Sequence, residues 1–150
     1  MRVLKAGTLG LFISFVAIQV IPVARTNPPD VSNPDAPPTI AAILKHACYD
    51  CHSNETRWPW YSFVAPASWL VSRHVAEARR HLNFSEWEAY ASDPDTAAYK
   101  LDEIAEQVTD RKMAPWYYRA MHSAARLNPT ERQALIHWAR SSSAKMRASQ

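Results

Sequence analysis

The chain has 150 residues, 47% of them hydrophobic and 21% charged, which suits one globular domain and excludes wholesale disorder. Only 2 glycines stand against 11 prolines, and both, Gly7 and Gly10, lie in the first ten residues, so no glycine-rich phosphate loop can be built. Of the 17 basic residues, Arg2, Lys5 and Arg25 precede the first acid; the 14 left face 14 acids, a balance that offers no basic face and points to no nucleic-acid partner.

Arg2 and Lys5 precede an uncharged stretch from Ala6 to Val23. As one helix this stretch would be about 27 Å long, near the hydrocarbon thickness of a bilayer. Positive charges in front of it predict export of the chain beyond it. Residues 1–25 are therefore read as a signal anchor or transmembrane segment. The alternative is a cleaved signal, for which Pro22-Val23-Ala24 is a poor cleavage site. Residues 26–38 contain five prolines and predict a stiff linker. Extended, it would hold a domain about 40 Å from the membrane.

Residues 39–142 read as an all-α domain, with a tail at 143–150. Thr39 is placed as the cap of a helix whose stripe is Ile40, Ile43, Leu44 and Ala47. A second helix is expected from Pro66 to about His81, with Trp69, Leu70, Val75 and Ala78 inward. Ser85-Glu86-Trp87-Glu88 has the capping-box pattern. Asp95 or Thr96 opens a helix with Leu101, Ile104, Ala105 and Val108 on one face. Asn128-Pro129-Thr130-Glu131 begins a last helix carrying Leu135, Ile136 and Trp138. No stretch alternates with the period of a strand.

The chemistry lies in Cys48-Tyr49-Asp50-Cys51-His52, the C-x-x-C-H pattern of c-type haem attachment. Two thiols three positions apart on one helical turn reach two vinyl groups along one porphyrin edge. The next residue, His52, then lies under the iron as an axial ligand. Attachment of this kind takes place after export, which agrees with the leader. Three other readings use the same cysteines. A thioredoxin-like dithiol wants neighbouring strands. A zinc site would need two of the histidines and has no second pair at finger spacing. A disulfide between Cys48 and Cys51 closes too small a loop to stabilise much.

On the far side of the iron the candidate is Met113, 61 residues after His52 in the break Arg111-Lys112-Met113-Ala114-Pro115-Trp116. A loop carries a thioether to a metal more readily than a packed helix does. Met121 and Met146 fall in a helix and in the tail. His46, His74, His81, His122 and His137 read as structural or surface groups, with His74 and His122 available over an open iron. Trp58, Trp60 and Tyr61 come directly after the attachment motif, and Trp116 comes after Met113; they are candidates to wall a flat apolar macrocycle. Arg57, Lys112 and Arg119 are candidates to meet its propionates.

These motifs, together with Trp58-Pro59-Trp60-Tyr61, Ala65-Pro66, His81-Leu82-Asn83-Phe84-Ser85, Pro115-Trp116-Tyr117-Tyr118 and Ala125-Arg126-Leu127, run through nearly the whole chain. In them the chain resembles the haem-binding-domain family of small exported bacterial proteins, related in pattern to class I c-type cytochromes. It departs from the family's Met-Pro-Pro-Trp in having Met113-Ala114-Pro115-Trp116. The resemblance implies a cytochrome c-like helical domain around one covalent haem c. The expected function is electron transfer by a single-pass protein of the bacterial inner membrane, facing the periplasm, or by a soluble periplasmic one if the leader is cleaved. Redox proteins would be its partners, and it would be a carrier more than an enzyme. The alternatives are a haem enzyme or gas sensor with an open distal position, peroxidase-like in character, and an accessory module docking through Trp87 and Arg79-Arg80.

Overall fold

The computed structural model describes residues 2–29 and 32–148, with side chains from Lys5 onward. Asp30 and Val31 of the proline-rich segment, the Arg2 side chain and the last two residues of the tail lie outside the described residues. Among the described residues the chain is all-helical: α1 (Arg2–Ile18), α2 (Pro38–Ala47), α3 (Tyr49–His52), α4 (Ala67–His81), α5 (Trp87–Ala91), α6 (Pro94–Thr109), α7 (Trp116–Met121) and α8 (Pro129–Ala148). Short 3-10 turns occur at Trp60–Phe63 and Ser123–Ala125.

Helix starts are set by proline and side-chain acceptors. At α8 the Asn128 side chain accepts from the Glu131 amide at 2.9 Å, and the Glu131 carboxylate accepts from the Asn128 amide at 2.9 Å, the reciprocal capping box expected there. α6 starts earlier than expected. Asp93, not Asp95 or Thr96, caps it by accepting from the amides of both, and Pro94 fills the first position, where no N–H is needed. α2 likewise starts at Pro38, one residue ahead of the expected Thr39 cap, and no side chain caps it. Ser85 does not cap α5; its hydroxyl accepts from the Asn54 amide, and Glu86 takes the cap position.

The core forms where α6 and α8 lie against each other and α2 lies against α8. Ala97, Ala98, Ala105 and Ala139 are buried at the contact and let the backbones approach, while Leu101, Leu135 and Leu44 fill the space between. Tyr49, Phe84 and Trp87 continue this core as stacked rings at centroid distances of 5.3 and 6.3 Å. Trp87 is thus a core residue and not an exposed docking group. α8 also runs through most of the expected tail. Ser143 is buried, Met146 packs on the core, and Arg147 meets Asp102 at 2.6 Å.

Two expectations about the N-terminal part are corrected. The leader helix stops at Ile18 instead of continuing to Val23. Gln19 donates to the Phe15 carbonyl, and its amide group also pairs with both the N–H and the C=O of Ala65, at 2.9 and 3.2 Å. That pairing draws the chain out of the helix, and Pro22 prevents its return. Among the described residues no helix is long and apolar enough to cross a membrane. The segment after it is no free spacer either. Arg25 reaches the Ser62 carbonyl, Ser72 donates to the Ala24 carbonyl, and Ser32 bridges to Glu86. Arg79 donates to the Thr26 carbonyl at 2.8 Å and to the Ser53 carbonyl at 2.8 Å, so it is a clasp for this strap.

α4 turns inward through Ser68 and Val75, whereas Trp69 and Leu70, expected inward, are exposed. The small Ser68 lets the first turn of α4 lie close under the 3-10 turn, and its amide donates to the Val64 carbonyl.

Candidate functional site

Cys48 ends α2 and starts α3. Its N–H donates to the Leu44 carbonyl, and its own carbonyl accepts from Cys51 and His52 at 3.1 and 2.9 Å. One turn therefore presents both thiols and the imidazole. The thiols are not joined to each other. Burial, more than their mutual proximity, pushes Cys48 up to about 12; burial, with Asp50 adding to it, pushes Cys51 up to about 11. Burial acts here against the depressed value that redox-active dithiols need. Among the described residues no group of three or more His, Cys, Asp or Glu side chains is placed to hold a metal ion.

His52 is held from both sides by the segment after α4. Its Nδ1 meets the Leu82 carbonyl at 3.1 Å, and its carbonyl accepts from the Phe84 amide at 2.7 Å. A carbonyl only accepts, so Nδ1 carries the proton and Nε2 keeps its lone pair. Burial lowers the His52 pKa, which keeps the ring neutral at neutral pH. Polar side chains lock this segment in register. Asn83 donates to the Asn54 side chain at 3.0 Å and accepts from the Ser85 amide, and the Asn54 amide donates to Ser85.

Met113 lies just past the end of α6. There the Lys112 amide donates to the Gln107 carbonyl and the Arg111 amide to Val108, with Arg111 at φ 57°. This is a Schellman ending with arginine in the left-handed position that glycine usually takes. It turns the chain sharply and leaves Met113 38% exposed. The next helix is tied back to the cysteine turn. Tyr118 donates to the Asp50 carboxylate at 2.7 Å, and Tyr61 and His122 share a hydrogen bond of 2.7 Å. Tyr118 and His122 stack with centroids 4.1 Å apart. Burial first, and the bond to Asp50 second, raise the Tyr118 pKa, so its hydroxyl stays protonated and donates.

The other candidates occupy varied positions. Arg57 pairs with Asp50 at 3.2 Å and Lys112 with Asp110 at 2.8 Å. Trp58 turns its indole N–H to Asn27 of the strap. Trp60 and Trp116 are exposed, the latter at 74%. His46 binds the Ala124 carbonyl at 2.8 Å, His74 faces the Tyr117 ring, and His81 and His137 are on the surface. The Leu82 carbonyl, Asp50 and Tyr118 were not picked out as site residues. Backbone acceptors leave no trace in a sequence, but an acid inside C-x-x-C-H was a usable signal for the other two.

These residues fit a haem. The His52 imidazole and the two thiols lie on one turn, and the thiols are not joined to each other. Trp60, Trp116 and Met121, on the two segments that Tyr61, Tyr118 and His122 tie together, expose apolar surface available to a macrocycle. The buried Nε of Arg119 has no hydrogen-bond partner among the described residues, and a propionate would supply one. A family model described as the haem-binding domain matches residues 13–141. The chain belongs to the haem-binding domain family. The match takes in the end of α1 and the whole strap, so in this family the N-terminal segment is part of the pattern. Haem binding is accordingly the function of the all-helical domain. No match was found among curated proteins or among solved structures.

Proposed function

We propose that this haem-binding domain protein is a membrane-anchored c-type cytochrome that faces the periplasm and carries electrons on a single covalent haem. The observation that carries the reading is the Nδ1 contact of His52 with the Leu82 carbonyl, 3.1 Å, on the same turn as Cys48 and Cys51. Such a bond fixes the ring and its tautomer and makes Nε2 the better iron ligand. Cys48 and Cys51 would hold the group by thioether bonds, each thiol adding across one vinyl double bond. His52 and Met113 would ligate its iron. Bound there, the haem supplies one-electron chemistry between ferric and ferrous iron.

The chain's own residues do the rest. The Asn54, Asn83 and Ser85 bonds keep the Leu82 carbonyl aimed at His52. Trp60, Tyr61 and Trp116 exclude water from the macrocycle, and a drier site favours the less charged ferrous state. Arg119 meets a propionate. Ligation by both His52 and Met113 would leave a substrate no place on the iron, which favours a carrier of electrons over an enzyme. α1 supports the anchor. Leu9, Leu11, Phe12, Ile13, Phe15 and Val16 are all exposed along it, and among the described residues it packs on no other helix.

The test is the visible spectrum of the oxidised protein made in a host with c-type maturation. Ligation by Met113 predicts the weak long-wavelength sulfur-to-iron band, its loss in Met113→Ala, and a lower reduction potential in that variant. Rapid binding of carbon monoxide to the unaltered ferrous protein contradicts the Met113 ligand and moves the reading to an open-site haem enzyme or sensor.

A further inference from the structure

We infer that the domain is seated directly on the membrane surface, through an apolar patch made by Val20, Ile21, Phe63, Val64 and Trp69. This rests on the anchoring proposed above and goes further by naming the face that meets lipid.

Length is the first constraint. α1 has 17 residues and is about 26 Å long, short of the roughly 30 Å hydrocarbon layer. An apolar helix too short to cross lies in the near leaflet and keeps the adjoining chain at the interface. That adjoining chain is not slack. The first residue past α1, Gln19, holds both backbone groups of Ala65. Six residues later the Arg25 guanidinium lies 4.5 Å over the Phe63 ring and donates to Ser62. Residues 62–65 are therefore fixed at the mouth of the leader.

The side chains around that fixed point are apolar and face solvent. Phe63 is 58% exposed, Val64 37% and Trp69 36%, and Val20 and Ile21 are exposed beside them. Trp69 also points away from the contact between α4 and Tyr117. Trp69 precedes His74 by five residues, which places it about 140° around α4 from the side chain that faces Tyr117. Aromatic rings with an arginine at their edge suit the headgroup layer, where ring faces meet acyl chains and the guanidinium meets lipid phosphate. The occupant of the patch is thus the lipid interface of the same membrane that holds α1.

The test uses the full-length, reduced holoprotein labelled with 5-fluorotryptophan, in vesicles of phosphatidylcholine and phosphatidylglycerol. The fluorine signal of Trp69 is assigned by its loss in Trp69→Phe. The buried Trp87 and Trp138 are internal standards. The proposal expects a doxyl-labelled lipid to broaden the Trp69 signal and a water-soluble gadolinium chelate to leave it sharp, with the two standards changed by neither. Phe63→Glu should weaken the effect of the doxyl lipid. If the protein floats with the vesicles but only the chelate broadens Trp69, the seat is wrong and the anchor stands. Shelter from both reagents means that a second copy or another protein covers the patch, which also overturns the seat. If the chain does not float with vesicles at all, the anchor fails and the seat with it.

Discussion

The Tyr118 hydroxyl donates to the Asp50 carboxylate across 2.7 Å, tying the helix beyond Met113 to the turn that carries both cysteines. Asp50 also accepts from Arg57, so it is the meeting point of three chain segments. Removing the donor with Tyr118→Phe leaves the half-buried carboxylate short of one bond. The expected loss is about 2 kcal/mol in urea unfolding. Amide exchange should rise in residues 116–122 before it rises in α6 or α8.

Phe84 lies between Tyr49 and Trp87 and is 1% exposed. Its amide also holds the His52 carbonyl. Phe84→Ala should cost about 3–5 kcal/mol, the range for a buried aromatic with little room to collapse. Thermal unfolding of the variant checks this. A loss under about 1 kcal/mol contradicts the packing described.

Arg111 occupies the left-handed position of the Schellman ending at φ 57°. A side chain there is strained, and glycine is not. Arg111→Gly should raise stability by about 1 kcal/mol. Chemical denaturation measures it, and an unchanged midpoint argues against that backbone conformation.

Asp93 sits below its usual value of 3.8, chiefly because the Thr96 hydroxyl donates to it and next through the backbone amides of Asp95 and Thr96. Its folded value is the lower one. Its contribution is therefore complete above about pH 4 and fades as pH falls through the folded value. Asp93→Asn keeps an acceptor but no charge. Melting temperature against pH should then be flatter on the acid side than in the unaltered protein, and slightly lower near neutrality.

The strap hangs on Arg79, which donates to Ser53, Thr26, Asn27 and Thr56. Arg79→Ala should free residues 24–29 from the domain. Limited proteolysis reads this directly as new cleavage in that stretch while α6 and α8 stay intact.

The helices of the core were legible from their apolar periodicity. Leu101, Ile104, Ala105 and Val108 are all buried, as their spacing requires. Starts were less legible because proline displaced the expected caps at Thr39 and Asp95. Trp69 and Leu70 misled because hydrophobicity alone does not say which face a partner covers. The strap was invisible for a different reason. Proline and asparagine composition describes a stiff chain, but the bonds from Arg79 and Gln19 join residues 46 to 53 positions apart. Within the site, Cys48, Cys51 and His52 announce themselves by spacing. The partner of His52, a carbonyl at Leu82, does not.

Covalent attachment of the haem is tested best by the intact mass of the denatured protein made with c-type maturation. Thioether bonds at Cys48 and Cys51 predict the processed or unprocessed chain plus one haem, with the addition absent when both cysteines are changed to serine. A bare chain mass, with haem released on denaturation, would contradict covalent attachment at this turn.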